Sequence, residues 1–192
     1  MGRDPVYIAS QIVTALQSIV SREIEPLSPA VITVGAFHSG TKHNIISDRA
    51  DLQLTVRAND EDTRAQLLAA IERIAVNTGR AHGLPEEMPV QVAVSEGTPV
   101  TNNDPALARR LNAALQRDLG NEVLIPWQQR GMGAEDFAYF VAEQYGVPGY
   151  YFAVGGTPQA AFDAAAAGGP PVPSHHSPLF KITPEPAVES GV

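Results

Sequence analysis

The 192-residue chain contains no cysteine. A disulfide framework and a thiolate metal site are both excluded, so any bound metal must be held by His, Asp or Glu. Basic residues are also scarce: 13 Lys and Arg stand against 21 Asp and Glu, a net charge of −8. They nowhere gather on one face, and phosphate binding needs concentrated positive charge, so no nucleic-acid role is expected. No apolar run approaches the roughly 18 residues of a membrane span. The first thirty residues also lack the charged stretch and apolar run of a secretory signal. The expectation is a soluble cytoplasmic protein with no membrane partner.

What is present is an ordinary globular composition, 44% apolar, in a chain long enough for one large domain or two small ones. Residues 5–20 place Ile8, Ile12, Leu16, Ile19 and Val20 on one helical stripe, which Pro26 ends. Residues 31–37 read as a strand. The loop 38–48 then leads into residues 51–57, where Leu52, Leu54 and Val56 alternate with polar residues and Arg57 lies on the polar face. A second helix starts at Asn59, with acidic residues 60–62 in its first turn and Leu67, Leu68, Ile71, Ile74 and Ala75 inward. Val90, Val92 and Val94 predict a third strand. This helix-strand-strand-helix-strand order is a ferredoxin-like split βαβ unit lacking its first strand, over residues 1–97.

From residue 98 onward the pattern changes and reads as a second domain, 98–192. Asp104 and Pro105 open a helix carrying Leu107, Leu111 and Leu115, and a short strand follows around 123–125. A helix is expected over 134–145, with Phe137, Phe140 and Val141 inward. A buried strand is expected over 149–154, and the Ala- and Gly-rich stretch 155–173 reads as a flexible loop.

Three segments offer chemistry. His175 and His176 sit in a proline-bounded loop, the presentation of a metal ligand or general base, although such a histidine is equally a surface or capping group. Glu135 and Asp136 follow three small residues in GMGAEDFAYF, where they cap a helix or flank an active centre. The loop FHSGTKHNIISD carries His43 and Asn44 ahead of Arg57. An arginine fork binds a carboxylate bidentately and an amide orients it, yet both residues also suit a solvated surface.

In order, DPVYIASQIVTALQSIVSRE, VGAFHSGTKHNIISDRADLQLTVRA, GMGAEDFAYF and HHSPLFKITPE closely resemble the N-acyl amino-acid amidohydrolases of the aminoacylase and carboxypeptidase metallopeptidase family. Within it the hippurate hydrolases and auxin-conjugate hydrolases are most similar. The resemblance covers essentially the whole chain. It implies an α/β fold in two parts: a ferredoxin-like α+β lid and dimerisation domain, and the C-terminal part of a zinc-peptidase-like catalytic domain. It further implies hydrolysis of the amide of an N-acyl amino acid by a metal-bound water, with one or two divalent metals (zinc, manganese or cobalt).

The resemblance also implies roles for residues. His176 matches the C-terminal metal ligand, with His175 only its neighbour. Asn44 and Arg57 match an Asn and Arg that reach across a homodimer to the substrate carboxylate, and His43 lines the same cleft. Glu135 is given a supporting part. Ser47 stands where the family commonly has proline. The family's other metal ligands and its general-base glutamate precede the lid, and nothing in residues 1–30 matches them. One histidine cannot hold a catalytic zinc, so this polypeptide alone is expected to be inactive. The competing reading is a dimerisation or ligand-binding module that no longer catalyses.

Overall fold

The computed structural model describes residues 2–95, 97–125, 129 and 131–192. Helix α1 (Pro5–Ser18) begins where the Asp4 carboxylate accepts from the amides of Val6 at 2.9 Å and Tyr7 at 3.4 Å, with Pro5 supplying a helical φ. Its stripe Ile8, Ile12 and Leu16 is buried and continues to Ile19. There the helix widens into a π turn, Ile19–Glu23, closed by the Ile24 amide donating to the Ile19 carbonyl at 3.2 Å. Val20, expected on the stripe, is at the surface. It follows Ile19 in the π turn and lies off the buried face.

Strands β1 (Ala30–Ser39) and β2 (Ala50–Ala58) form an antiparallel hairpin in which Ile32 opposes Val56 and Val34 opposes Leu54. These four turn toward the core. A bulge between Val34 and Ala36 shifts the pairing, so that Phe37 opposes Leu52 and His38 opposes Asp51. His38 and Ser39, expected in the loop, therefore belong to β1, and the connection contracts to residues 40–49.

Helix α2 (Glu61–Ala81) is capped by Asp60, whose carboxylate accepts from the Thr63 amide at 2.7 Å and its hydroxyl at 2.8 Å. Leu67, Ala70, Ile71, Ile74 and Ala75 pack against the α1 stripe to complete one core over the hairpin. Gly79 lets the following chain cross close to the helix. A Cβ there would lie 2.7 Å from Val90 and 2.9 Å from Leu84. The third strand expected at Val90 to Val94 is not formed: among the described residues the sheet contains β1 and β2 alone, and Val92 and Val94 are exposed. Val90 packs on the core beside α2 instead, and residues 90–94 pair with neither strand of the hairpin.

Helix α3 (Pro105–Leu119) starts at Asp104, which accepts from the Leu107 amide at 2.6 Å. Leu107, Leu111 and Leu115 are half-buried. The strand expected around 123–125 is replaced by a 3₁₀ turn, Asn121–Val123, with Ile125 exposed. The helix expected over 134–145 is two 3₁₀ turns, Asp136–Tyr139 and Glu143–Tyr145. Phe137 and Val141 do turn inward, closing over Gly149, where a Cβ would collide with Val141 and crowd Phe137. Phe140 is 71% exposed and the buried residue is Ala138. With nothing packed on Phe140, the stripe needed to hold a longer helix is missing.

The chain divides into two compact units, 1–149 and 150–192. In the second unit the strand expected at 149–154 is also absent. Tyr150 and Phe152 stack with centroids 5.4 Å apart, as residues two apart in extended chain can. The expected flexible loop holds helix α4 (Gln159–Ala166), favoured by its alanines. It ends at Gly168, φ 90°, where the Gly169 amide donates to the Ala164 carbonyl at 2.9 Å and the Gly168 amide to that of Ala165 at 3.1 Å. Helix α5 (Pro184–Gly191) follows. No helix among the described residues is long and apolar enough to cross a membrane.

Candidate functional site

The hairpin connection is held shut at its base. Ser39 and Ser47 both donate to the Arg49 carbonyl, at 2.6 Å and 2.8 Å, and the Arg49 amide donates back to the Ser47 hydroxyl at 3.2 Å. Ser47 thereby closes the turn by hydrogen bonding where a proline would close it by its ring. Arg49 donates in turn to Asp51 at 2.6 Å, and that hydrogen bond holds the Asp51 carboxyl below the usual carboxylate range. The clasp displays Lys42, His43, Asn44, Ile45 and Ile46 at the tip, all exposed.

His43 and Asn44 line an open cleft of about 680 Å³ between this tip and the start of α1, together with Asp4, Val6, Lys42 and Ile46. Lys42 is a cation that the sequence reading passed over, because a lysine on a polar loop has no distinctive signature. Arg57 is elsewhere. It opposes Val31, seven residues along β2 from Ala50, or about 23 Å at about 3.3 Å per residue. Asn44 and Arg57 of one chain therefore stand at opposite ends of the hairpin.

At its own end the Arg57 guanidinium Nη1 donates to the Met132 carbonyl. Glu135, three residues on, is exposed and precedes the first 3₁₀ turn, and its carboxylate makes no cap hydrogen bond. The structure thus brings Arg57 to the GMGAEDF segment, a contact invisible in sequence because its acceptor is a main-chain carbonyl.

In the second unit the Ser177 amide donates to the Ser174 carbonyl at 3.2 Å, closing a turn around the two histidines. The rings differ in setting. His175 packs edge-on against Phe180 with centroids 5.0 Å apart. His176 adopts φ 65°, and no other non-glycine among the described residues has a positive φ. That conformation is costly for a side-chain-bearing residue and tends to persist where function requires it.

Among the described residues no group of three or more His, Cys, Asp or Glu could hold a metal ion. A zinc site takes three or four protein ligands, so the described residues do not by themselves fit one. His176 offers a single imidazole.

Comparison with known proteins places these features. Residues 1–82 match the peptidase dimerisation domain of the M20 family. The Bacillus subtilis protein YhaA is 34% identical over 180 residues, covering 94% of this chain and 41% of its own length. Hippurate hydrolase of Campylobacter jejuni is 36% identical over 141 residues, covering 72% of this chain and 35% of its own. The crystal structure of Bacillus subtilis YXEP, a dinuclear metal-binding peptidase of the M20 family, superposes with a TM-score of 0.65 at 21% identity, over 98% of this chain and 43% of that one. This chain thus spans less than half the length of these relatives. The fold is that of M20 proteins, residues 1–82 match that family's peptidase dimerisation domain, and the chain is similar over most of its length to proteins named as amidohydrolases and hydrolases.

Proposed function

We propose that the chain is the lid-bearing, C-terminal portion of a metal-dependent amidohydrolase that cleaves the amide of N-acyl amino acids of the hippurate type. Residues 1–97 form the lid and pair two copies into a homodimer, and residues 98–192 belong to the catalytic domain. Asn44, with His43 beside it, and Arg57 serve the substrate carboxylate. Their separation along the hairpin means that the Asn44 and Arg57 meeting on one carboxylate come from different copies. Glu135 supports the centre, and His176 contributes one ligand to a divalent metal, zinc, manganese or cobalt, whose remaining ligands lie outside this chain. The protein works in the cytoplasm.

The observation that carries this reading is His176: its backbone is held in the left-handed region on a loop that spends His175 on packing against Phe180. The test replaces the matched segment of the Campylobacter hippurate hydrolase with residues 1–192. The chimera should release glycine from hippurate in a chelator-sensitive way, and His176→Ala should abolish release while leaving the dimer intact. Undiminished activity in His176→Ala would remove the ligand role. Metal-dependent hydrolysis by the isolated 192-residue chain would overturn its incompleteness. The competing reading is a module that dimerises and binds hippurate without catalysis, and an inactive chimera that still binds hippurate would establish it.

A further inference from the structure

Residues 131–139 are tied to the lid at both ends. At the head, Arg57 Nη1 donates to the Met132 carbonyl, and the side-chain Nε2 of Gln129 donates to Asn59 Oδ1 at 3.4 Å and, within the segment, to the Gly131 carbonyl at 3.1 Å. At the tail, the Tyr139 hydroxyl donates to the Gly97 carbonyl at 2.5 Å. The tail is also held by the buried Ala138 and by Phe137 against Gly149, so the exposed, irregular stretch between the ties is Gly133 to Glu135. A Cβ added at Gly131 or at Gly133 would meet nothing within 4 Å, and regular structure resumes only at Asp136.

Arg57 is well suited to be such a tie. It stands on a paired strand, so its Cα is fixed by the β1 ladder. Its guanidinium carries five N–H donors in a rigid plane, and the Met132 carbonyl occupies one nitrogen. The remaining fork can still take a carboxylate bidentately. We infer that Arg57 is a positioning residue for the GMGAEDF segment: through the Met132 carbonyl it sets where Glu135 stands relative to the lid. Where Arg57 also binds substrate, which rests on the proposed function, a bound carboxylate and the Glu135 segment share one guanidinium, so occupancy of one is felt at the other.

The test uses backbone order parameters of the 192-residue chain by ¹⁵N relaxation. In the wild type, residues 131–135 should show values near those of rigid backbone, about 0.85, and in Arg57→Met they should fall below about 0.6. Arg57→Lys, which keeps a donor at the end of a similar stem, should recover part of the loss. Residues 61–81 of α2 should be unchanged in both. Equal order in wild type and Arg57→Met overturns the inference, as does equal loss in the Met and Lys variants, which would assign the effect to packing. Arg57→Gln replaces Arg57→Met should the latter not fold. Saturating hippurate then separates the two claims. Shifts at residues 131–135 in the wild type but not in Arg57→Met support the shared guanidinium. Their absence removes the substrate role of Arg57 and leaves the tie standing.

Discussion

At the head of α2 the Asp60 carboxylate accepts from the Thr63 amide and from its hydroxyl, and the amide bond, the larger cause, holds its carboxyl below the usual range. A group whose folded pKa is depressed adds stability above its unfolded value, about 3.9, and loses it as pH falls through the folded value. Asp60→Ala should therefore lower the melting temperature by a constant amount between pH 5 and 8, and the gap from wild type should close below about pH 4. A gap that persists unchanged to pH 2 would show that the charge contributes nothing. At this scale the sequence was informative about type and silent about place. Asn44, Arg57 and His176 stand out in the sequence by type alone, because amide, guanidinium and imidazole each have a distinctive chemistry. That the hairpin keeps Asn44 and Arg57 apart follows from register, and Arg57's partner is a carbonyl that every residue owns. The left-handed φ of His176 likewise has no mark in a histidine's letter.

At the scale of elements, legibility followed packing. Helices α1 and α2 and the two hairpin strands were readable because each has an apolar face buried by the others, and the period of that face survives in the sequence. Residues 90–94 and 149–154 have the composition of strands but pair with no partner strand, and pairing is not a local property. Helix α4 was missed for the opposite reason: alanine favours helix strongly, and the glycines after it form its end. Paired substitutions separate these cases. Leu67 is 0% exposed at the centre of the core, so Leu67→Ala should cost about 2–5 kcal/mol in urea unfolding. Val92 is 40% exposed and unpaired, so Val92→Ala should stay within about 0.5 kcal/mol. A loss at Val92 comparable to that at Leu67 would mean that the third strand forms after all.

Across the whole molecule, burial is uneven. Among the described residues, all but one of the buried apolar side chains lie between Ile8 and Ala75. Beyond residue 97 the described residues add only Ala138 and Gly149, and no residue of 150–192 is buried. Cooperative unfolding comes from shared burial, and the urea dependence of stability scales with the surface that unfolding exposes. Residues 98–192 should therefore contribute little to either quantity in this chain, even though their hydrogen bonds are formed. Residues 1–97 expressed alone should unfold in one transition with nearly the midpoint and slope of the full chain, keeping the core of α1, α2 and the hairpin whole. Residues 98–192 alone should show no cooperative transition, because α3, α4 and α5 contain no buried side chain. In the chimera with the Campylobacter hippurate hydrolase the same residues should gain one, as the proposed catalytic domain covers their exposed Tyr151, Phe152, Phe162 and Ile182. A sharp transition in isolated 98–192, or a slope for 1–97 reduced by half, would show that the second portion already has a core of its own.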